Sequence, residues 1–180
     1  MGEASRQAPR RDAVKTIAKA CAPILASLLL ATPFTLTEAS AQARADVRDF
    51  ASKDDIQAQI RTMLAAMTPE QGFMWRPLVR DAQTIAGIEI WKKPGRPAVH
   101  PADAEYATVL EGAGTLISGG TLADAKARNT GLVEGSRIEG GKTRTLGPGD
   151  VILIPAGVPH WFGITGERLI LLGMKLPASK

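Results

Sequence analysis

The chain has 180 residues, 44% of them hydrophobic, with 22 basic and 18 acidic residues and a formal net charge of +4. That length suits one domain rather than two. A single cysteine excludes a disulfide framework, and with no basic cluster interleaved with aromatics, nucleic-acid binding has no support.

The first segment is unlike the rest. Arg6, Arg10, Arg11, Lys15 and Lys19 form a basic leader, followed by the apolar run "ACAPILASLLLATPF" (20–34) and the small-residue segment "ASAQA" (39–43). This order is the layout of a secretory signal peptide over residues 1–43, with cleavage after Ala41 or Ala43 fitting equally well. The competing reading is a membrane anchor. The run is about fifteen residues long and contains Pro23, short of the roughly twenty apolar residues that a spanning helix needs. The expectation is a periplasmic or secreted protein with no stable membrane anchor after cleavage. Export by the general secretory route is favoured. The twin-arginine route is the alternative, since "RRDAVK" resembles its signal, apart from Ala13 and Val14 where bulkier apolar residues are usual. Residues 1–43 hold five basic and three acidic residues, so 17 and 15 remain, a net charge of +2. Cys21 lies in the leader, which leaves the mature chain without thiolate ligands.

Residues 44–70 contain the one clear helical pattern, followed by a linker. Ser52 reads as an N-cap, with Asp54 and Asp55 in the first turn where the helix dipole favours acid. Ile56, Ile60, Met63, Leu64 and Met67 recur at three- and four-residue spacing and make one apolar stripe. The stripe is expected to pack against the main body, with a dimer contact as the alternative. Pro69 ends the segment.

In residues 71–180 the period changes to two. Strands are expected over 84–93, 105–112, 114–120, 143–157 and 167–176, divided by "PGRP", "EGAG", "SGG", "EGG", "GPGD" and "PAG". Many short strands with close turn signals indicate an antiparallel sandwich or barrel. Residues 122–141 are less regular and read as a hairpin or excursion between core strands.

The chain has two histidines, and each lies at a turn that feeds a strand. In "VHPADAEYATVLEG", His100 precedes Pro101, and Glu105 opens a strand that ends at Gly112. In "GPGDVILIPAGVPHWFGI", a turn at Pro148–Gly149 feeds the strand Asp150 to Ile154, and Pro155 and Gly157 make a corner before His160. The strands on either side of that corner are expected to be sheet neighbours. In an extended strand Tyr106 points away from Glu105, and Trp161 points away from His160.

Together these segments resemble the two signature motifs of the cupin family. His100, Glu105 and Gly112 match the second histidine, the glutamate and the glycine of the first motif. Gly149, Pro155, Gly157 and His160 match the second motif. The resemblance covers roughly residues 84–176. It departs at Ala98, where the first motif has another histidine, and at Ile164, where the second usually has asparagine. The resemblance implies an all-β, double-stranded β-helix or jelly-roll barrel, with one N-terminal α-helix ahead of it in the mature chain. It implies a divalent metal (Fe, Mn, Ni, Cu or Zn) held by His100, Glu105 and His160, and a small-molecule substrate for a dioxygenase, isomerase or lyase type of reaction. The alternative is a metal-free barrel binding a small ligand such as a sugar or an aromatic acid. A homodimer through the sheets is a further option. The stretch between Gly112 and Gly149 is longer than in compact members and is expected to form a flap or hairpin near the barrel mouth. Trp91, Phe162 and Ile164 read as core packing, with a pocket wall as the other option.

Overall fold

A computed structural model of the protein describes residues 48–178; the leader expected over residues 1–43 lies outside them. Helix α1 (Lys53–Ala66) begins where the capping chemistry places it. The Ser52 hydroxyl accepts from the Asp55 N–H at 3.1 Å, and the Asp55 carboxylate accepts from the Ser52 N–H at 2.9 Å. This reciprocal box satisfies two N–H groups that a helix start leaves without partners. The stripe then buries Ile60 and Met63 against Leu78, Ile88, Ile90 and Ile170. The helix therefore packs on the main body. Ile60 is 2% exposed, so Ile60→Ala is expected to cost about 2–5 kcal/mol, read as a lower denaturant midpoint with an unchanged slope.

The strands are β1 (Phe73–Arg80), β2 (Ile85–Trp91), β3 (Ala98–Val99), β4 (Asp103–Ser118), β5 (Thr121–Ala123) and β6 (Lys126–Asn129), then β7 (Leu132–Glu134), β8 (Arg137–Glu139), β9 (Lys142–Leu146), β10 (Val151–Ile154) and β11 (His160–Pro177). All pairings are antiparallel. The two long strands β4 and β11 pair from His160–Ser118 to Pro177–Asp103 and form the spine. The other edge of β4 takes β10 along its first half and β9 along its second. The other edge of β11 takes β2, which in turn carries β1. This is the jelly-roll barrel that the motifs imply. Ala107, Val109, Leu116, Ile152, Ile154, Phe162, Leu169 and Leu171 fill its interior, as alternate positions of strands buried on that face must.

Four expectations need correction. Residues 143–157 are not one strand: the turn over 147–150 divides them into β9 and β10, which pair with different halves of β4. Residues 105–112 and 114–120 do not form two strands. They belong to β4, which bends at Gly112 (φ +83°) and pairs with β11 on both sides of a bulge there. Strands β10 and β11 are not sheet neighbours either. β10 pairs with β4, and the corner at Pro155–Gly157 carries the chain away to the edge formed by β3 and the far end of β4. β1 was hidden in the sequence by Pro77, which sits where the register with β2 shifts, a position that tolerates a missing N–H. The excursion over 122–141 contains β6 and β7, which form a hairpin, and β8, which pairs with β5.

Candidate metal centre

His100 follows the two-residue strand β3, whose Ala98 pairs with His160 at the start of β11. The two motif corners are tied to each other directly. Gly157, at φ +76°, donates its N–H to the His100 carbonyl at 2.8 Å. Glu105 faces inward from β4 at the parity of Ala107 and Val109. Strand pairing thus brings the three predicted residues to one place. One ligand atom from each of His100, Glu105 and His160 lies within 4.8 Å of the others. Nε2 of His100 is 3.5 Å from Glu105 Oε2, and Nε2 of His160 is 3.3 Å from the same oxygen.

The surroundings orient these donors. His100 Nδ1 donates to the Gly131 carbonyl at 3.0 Å, and His160 Nδ1 donates to the Val158 carbonyl at 3.2 Å. A carbonyl can only accept, so both rings keep Nε2 for the site, the arrangement that fixes a ligating imidazole. Gly131 lies in the turn between β6 and β7, and Leu132 and Glu134 of that hairpin line the pocket. The hairpin expected at the barrel mouth therefore also positions a histidine.

Burial lowers the pKa of His100, with the Lys175 charge acting in the same direction, so this ring is neutral at neutral pH. Glu105 is 5% exposed. Burial alone would raise its carboxyl, but the hydrogen bond and charge of His160, and then Lys175, overcome that and bring it down to about 2. Two imidazole nitrogens and a carboxylate oxygen converge on one space, a donor set that suits a divalent cation. Donors around an ion at about 2.1 Å lie roughly 3.0–3.4 Å apart, close to the two nitrogen–oxygen separations seen here. The residues fit a divalent metal.

Two members of the site were not singled out in the sequence. Lys175 of β11 lies directly across from Glu105 in the strand register, and its ammonium contacts Glu105 Oε2. Glu89 of β2 accepts from the Trp91 indole N–H at 3.0 Å. Its carboxyl lies against Gly173, where an added Cβ would stand 3.0 Å from Oε1. The available signal was parity. Glu89 is two residues before Trp91, which packs against the barrel interior, and Lys175 follows Leu171 and Gly173 at two-residue steps. A charge at an inward position of a barrel strand marks a site. Tyr106 is outside the site, hydrogen-bonded to Thr108. Phe162 and Trp91 both pack in the interior and line the pocket, with Phe73 against Trp91 at 4.2 Å. Ile164 only packs against the core. Trp161 donates its indole N–H to the Gly95 carbonyl at 2.9 Å and closes the loop after β2.

Burial, and after it the negative charge of Glu105, pushes the Glu89 carboxyl from 4.5 up to about 7. Below 4.5 the folded and unfolded states are both protonated. Between 4.5 and about 7 the unfolded chain has lost a proton that the folded chain keeps, so this group lowers stability as pH rises through that window. The metal-free protein is expected to lose urea resistance from pH 4.5 to pH 7, and Glu89→Gln is expected to flatten that part of the profile. An unchanged slope in the variant would remove Glu89 as the cause.

The histidine-side cavity measures about 420 Å³. Ala98 lines it, so the position that departs from the motif leaves open space beside His160 rather than a filled core.

Residues 96–177 match the family model described as Cupin. The match covers 82 residues, a little under half of the chain, and agrees with the antiparallel barrel around the His-Glu-His group. Among curated proteins no match was found. Among solved structures, a cupin superfamily protein of Desulfitobacterium hafniense is 14% identical, with 73% of this chain and 98% of that one covered and a TM-score of 0.47. The Cnp3 cupin domain of Schizosaccharomyces pombe is 13% identical, with 64% and 72% covered and a TM-score of 0.43. A recombinant oxalate oxidase in complex with glycolate is 17% identical, with 61% and 53% covered and a TM-score of 0.43, so the chain spans about half of its length. Likeness at these levels does not bear on reaction or ligand.

Proposed function

We propose that the protein binds one divalent metal ion through His100, Glu105 and His160 and acts on a small organic molecule in the adjoining cavity. The single observation that carries this reading is the convergence of the two Nε2 atoms on one buried carboxylate oxygen, with both Nδ1 atoms committed to backbone carbonyls. When bound, such an ion supplies a Lewis acid that polarises a carbonyl or enolate oxygen, or a centre for O₂ chemistry, which suits a dioxygenase, isomerase or lyase. Three protein donors leave coordination positions for a substrate, and the space beside Ala98 widens the approach. Phe73, Trp91 and Phe162 hold the apolar part of the molecule and exclude water. Glu89, a carboxyl that titrates near neutrality at the cavity wall, is placed to take or return a proton. The leader pattern over residues 1–43 further supports export to the periplasm or beyond.

The test is elemental analysis of protein purified without a histidine tag or chelator, followed by anaerobic reconstitution with Fe, Mn, Ni, Cu and Zn. About one metal per chain, lost in His100→Ala, is the expected result. Protein that stays metal-free after reconstitution would overturn the reading. The second reading, a metal-free barrel that binds a small ligand, is favoured by Lys175, which already supplies Glu105 with a cation. It expects a ligand to raise the melting temperature of metal-free protein.

A further inference from the structure

We infer that Lys175 is a built-in competitor for the metal: its ammonium holds the Glu105 carboxylate oxygen that the ion needs, and so sets how tightly the site loads. The inference rests on the metal-binding reading proposed above. It follows from where the side chains stand. Glu105 Oε2 is the oxygen nearest both histidine Nε2 atoms, and Lys175 Nζ contacts that same oxygen. The contact is built into the fold, since Lys175 and Glu105 are direct cross-strand partners on β11 and β4, with side chains on one face.

The two partners differ in their freedom to leave. The Glu105 side chain is only 6% exposed, whereas the Lys175 side chain keeps 40% exposure. A second cavity of about 440 Å³, lined by Trp75, Ile85, Asp103 and Pro177, also reaches Glu89, Glu105 and Lys175. The flexible lysine stem therefore has a wet space into which its ammonium can swing. An arriving divalent ion and the ammonium cannot both sit on one carboxylate oxygen without strong repulsion, so loading requires Lys175 to withdraw. Linkage makes the effect reciprocal: whatever strengthens the Lys175–Glu105 pair weakens the metal by the same factor. In metal-free protein the ammonium is a placeholder that keeps a buried carboxylate from standing alone.

The experiment titrates Zn²⁺ against a chelator of known affinity into metal-free wild type, Lys175→Met and Lys175→Arg, and records the melting temperature of each with and without Zn²⁺. Lys175→Met is expected to bind Zn²⁺ on the order of tenfold to a hundredfold more tightly than wild type. It is also expected to melt lower than wild type without metal and to gain more on loading. Lys175→Arg keeps the charge and is expected to stay near wild type. If Lys175→Met does not fold, Lys175→Gln removes the charge while keeping a hydrogen-bonding group, and its affinity is read instead. Affinity that is equal or weaker in the neutral variant overturns the competition while leaving the metal site standing. Zn²⁺ bound by no variant, wild type included, overturns both, and a lowered melting temperature in Lys175→Met would then show the ion pair to be structural only.

Discussion

Replacing His160 with alanine is expected to leave the purified protein without bound metal. His160 is 5% exposed, lies at the first position of β11, and presents Nε2 to Glu105 from within the barrel wall. With only His100 and Glu105 left, the site has two donors, and His100 is the more accessible of the two histidines at 18% side-chain exposure. A buried two-donor site cannot hold a first-row ion against solvent as a three-donor one can. Occupancy in the wild type is also expected to fall as pH drops, because protons compete with the ion for its ligands. The lowered pKa of His100 extends its readiness to bind toward lower pH. Metal content per chain, measured beside a circular dichroism spectrum to confirm folding, decides the matter. Stoichiometric metal retained in folded His160→Ala would place the ion elsewhere.

Gly112→Ala is expected to destabilise the protein by at least about 3 kcal/mol, or on the order of 10 °C in melting temperature. Two costs combine there. Gly112 adopts φ +83°, where an L side chain is strained, and an added Cβ would stand 2.0 Å from the Arg168 carbonyl oxygen. Backbone cannot yield as a flexible side chain can. Gly119 provides the control, since it has the same φ of +83° and nothing within 4 Å of an added Cβ. Gly119→Ala therefore reads the conformational strain alone, about 1 kcal/mol. Equal losses in the two variants would remove the close approach of β4 and β11 as the reason for the glycine. Gly112 sits where β11 bulges out between Ile164 and Leu169.

The site was legible to unequal degrees. His100, Glu105 and His160 could be found because the segments that hold them resemble the two cupin motifs, with Gly112, Gly149, Pro155 and Gly157 at the matching turn positions. Glu89 and Lys175 were passed over because each sits inside an apolar run, where a lone charge reads as the solvent-facing half of a strand. Their inward parity becomes visible only once the neighbours that share each face are known. The helix was the easiest element, since Ser52, Asp55 and the stripe from Ile56 to Met67 act within a few residues of one another.

Local chemistry in the sequence by itself determined the helix and its cap, the strand-rich body and the turns, and the resemblance of two segments to the cupin motifs pointed to the three candidate ligands. Only the tertiary structure decided that β4 and β11 are single long strands, that β10 and β11 part company at their shared corner, and that Lys175 meets Glu105. Turns and caps depend on contacts between residues close in the chain. The Lys175–Glu105 pair spans seventy residues, and such a pairing is set by the register of two whole strands, which no local pattern encodes.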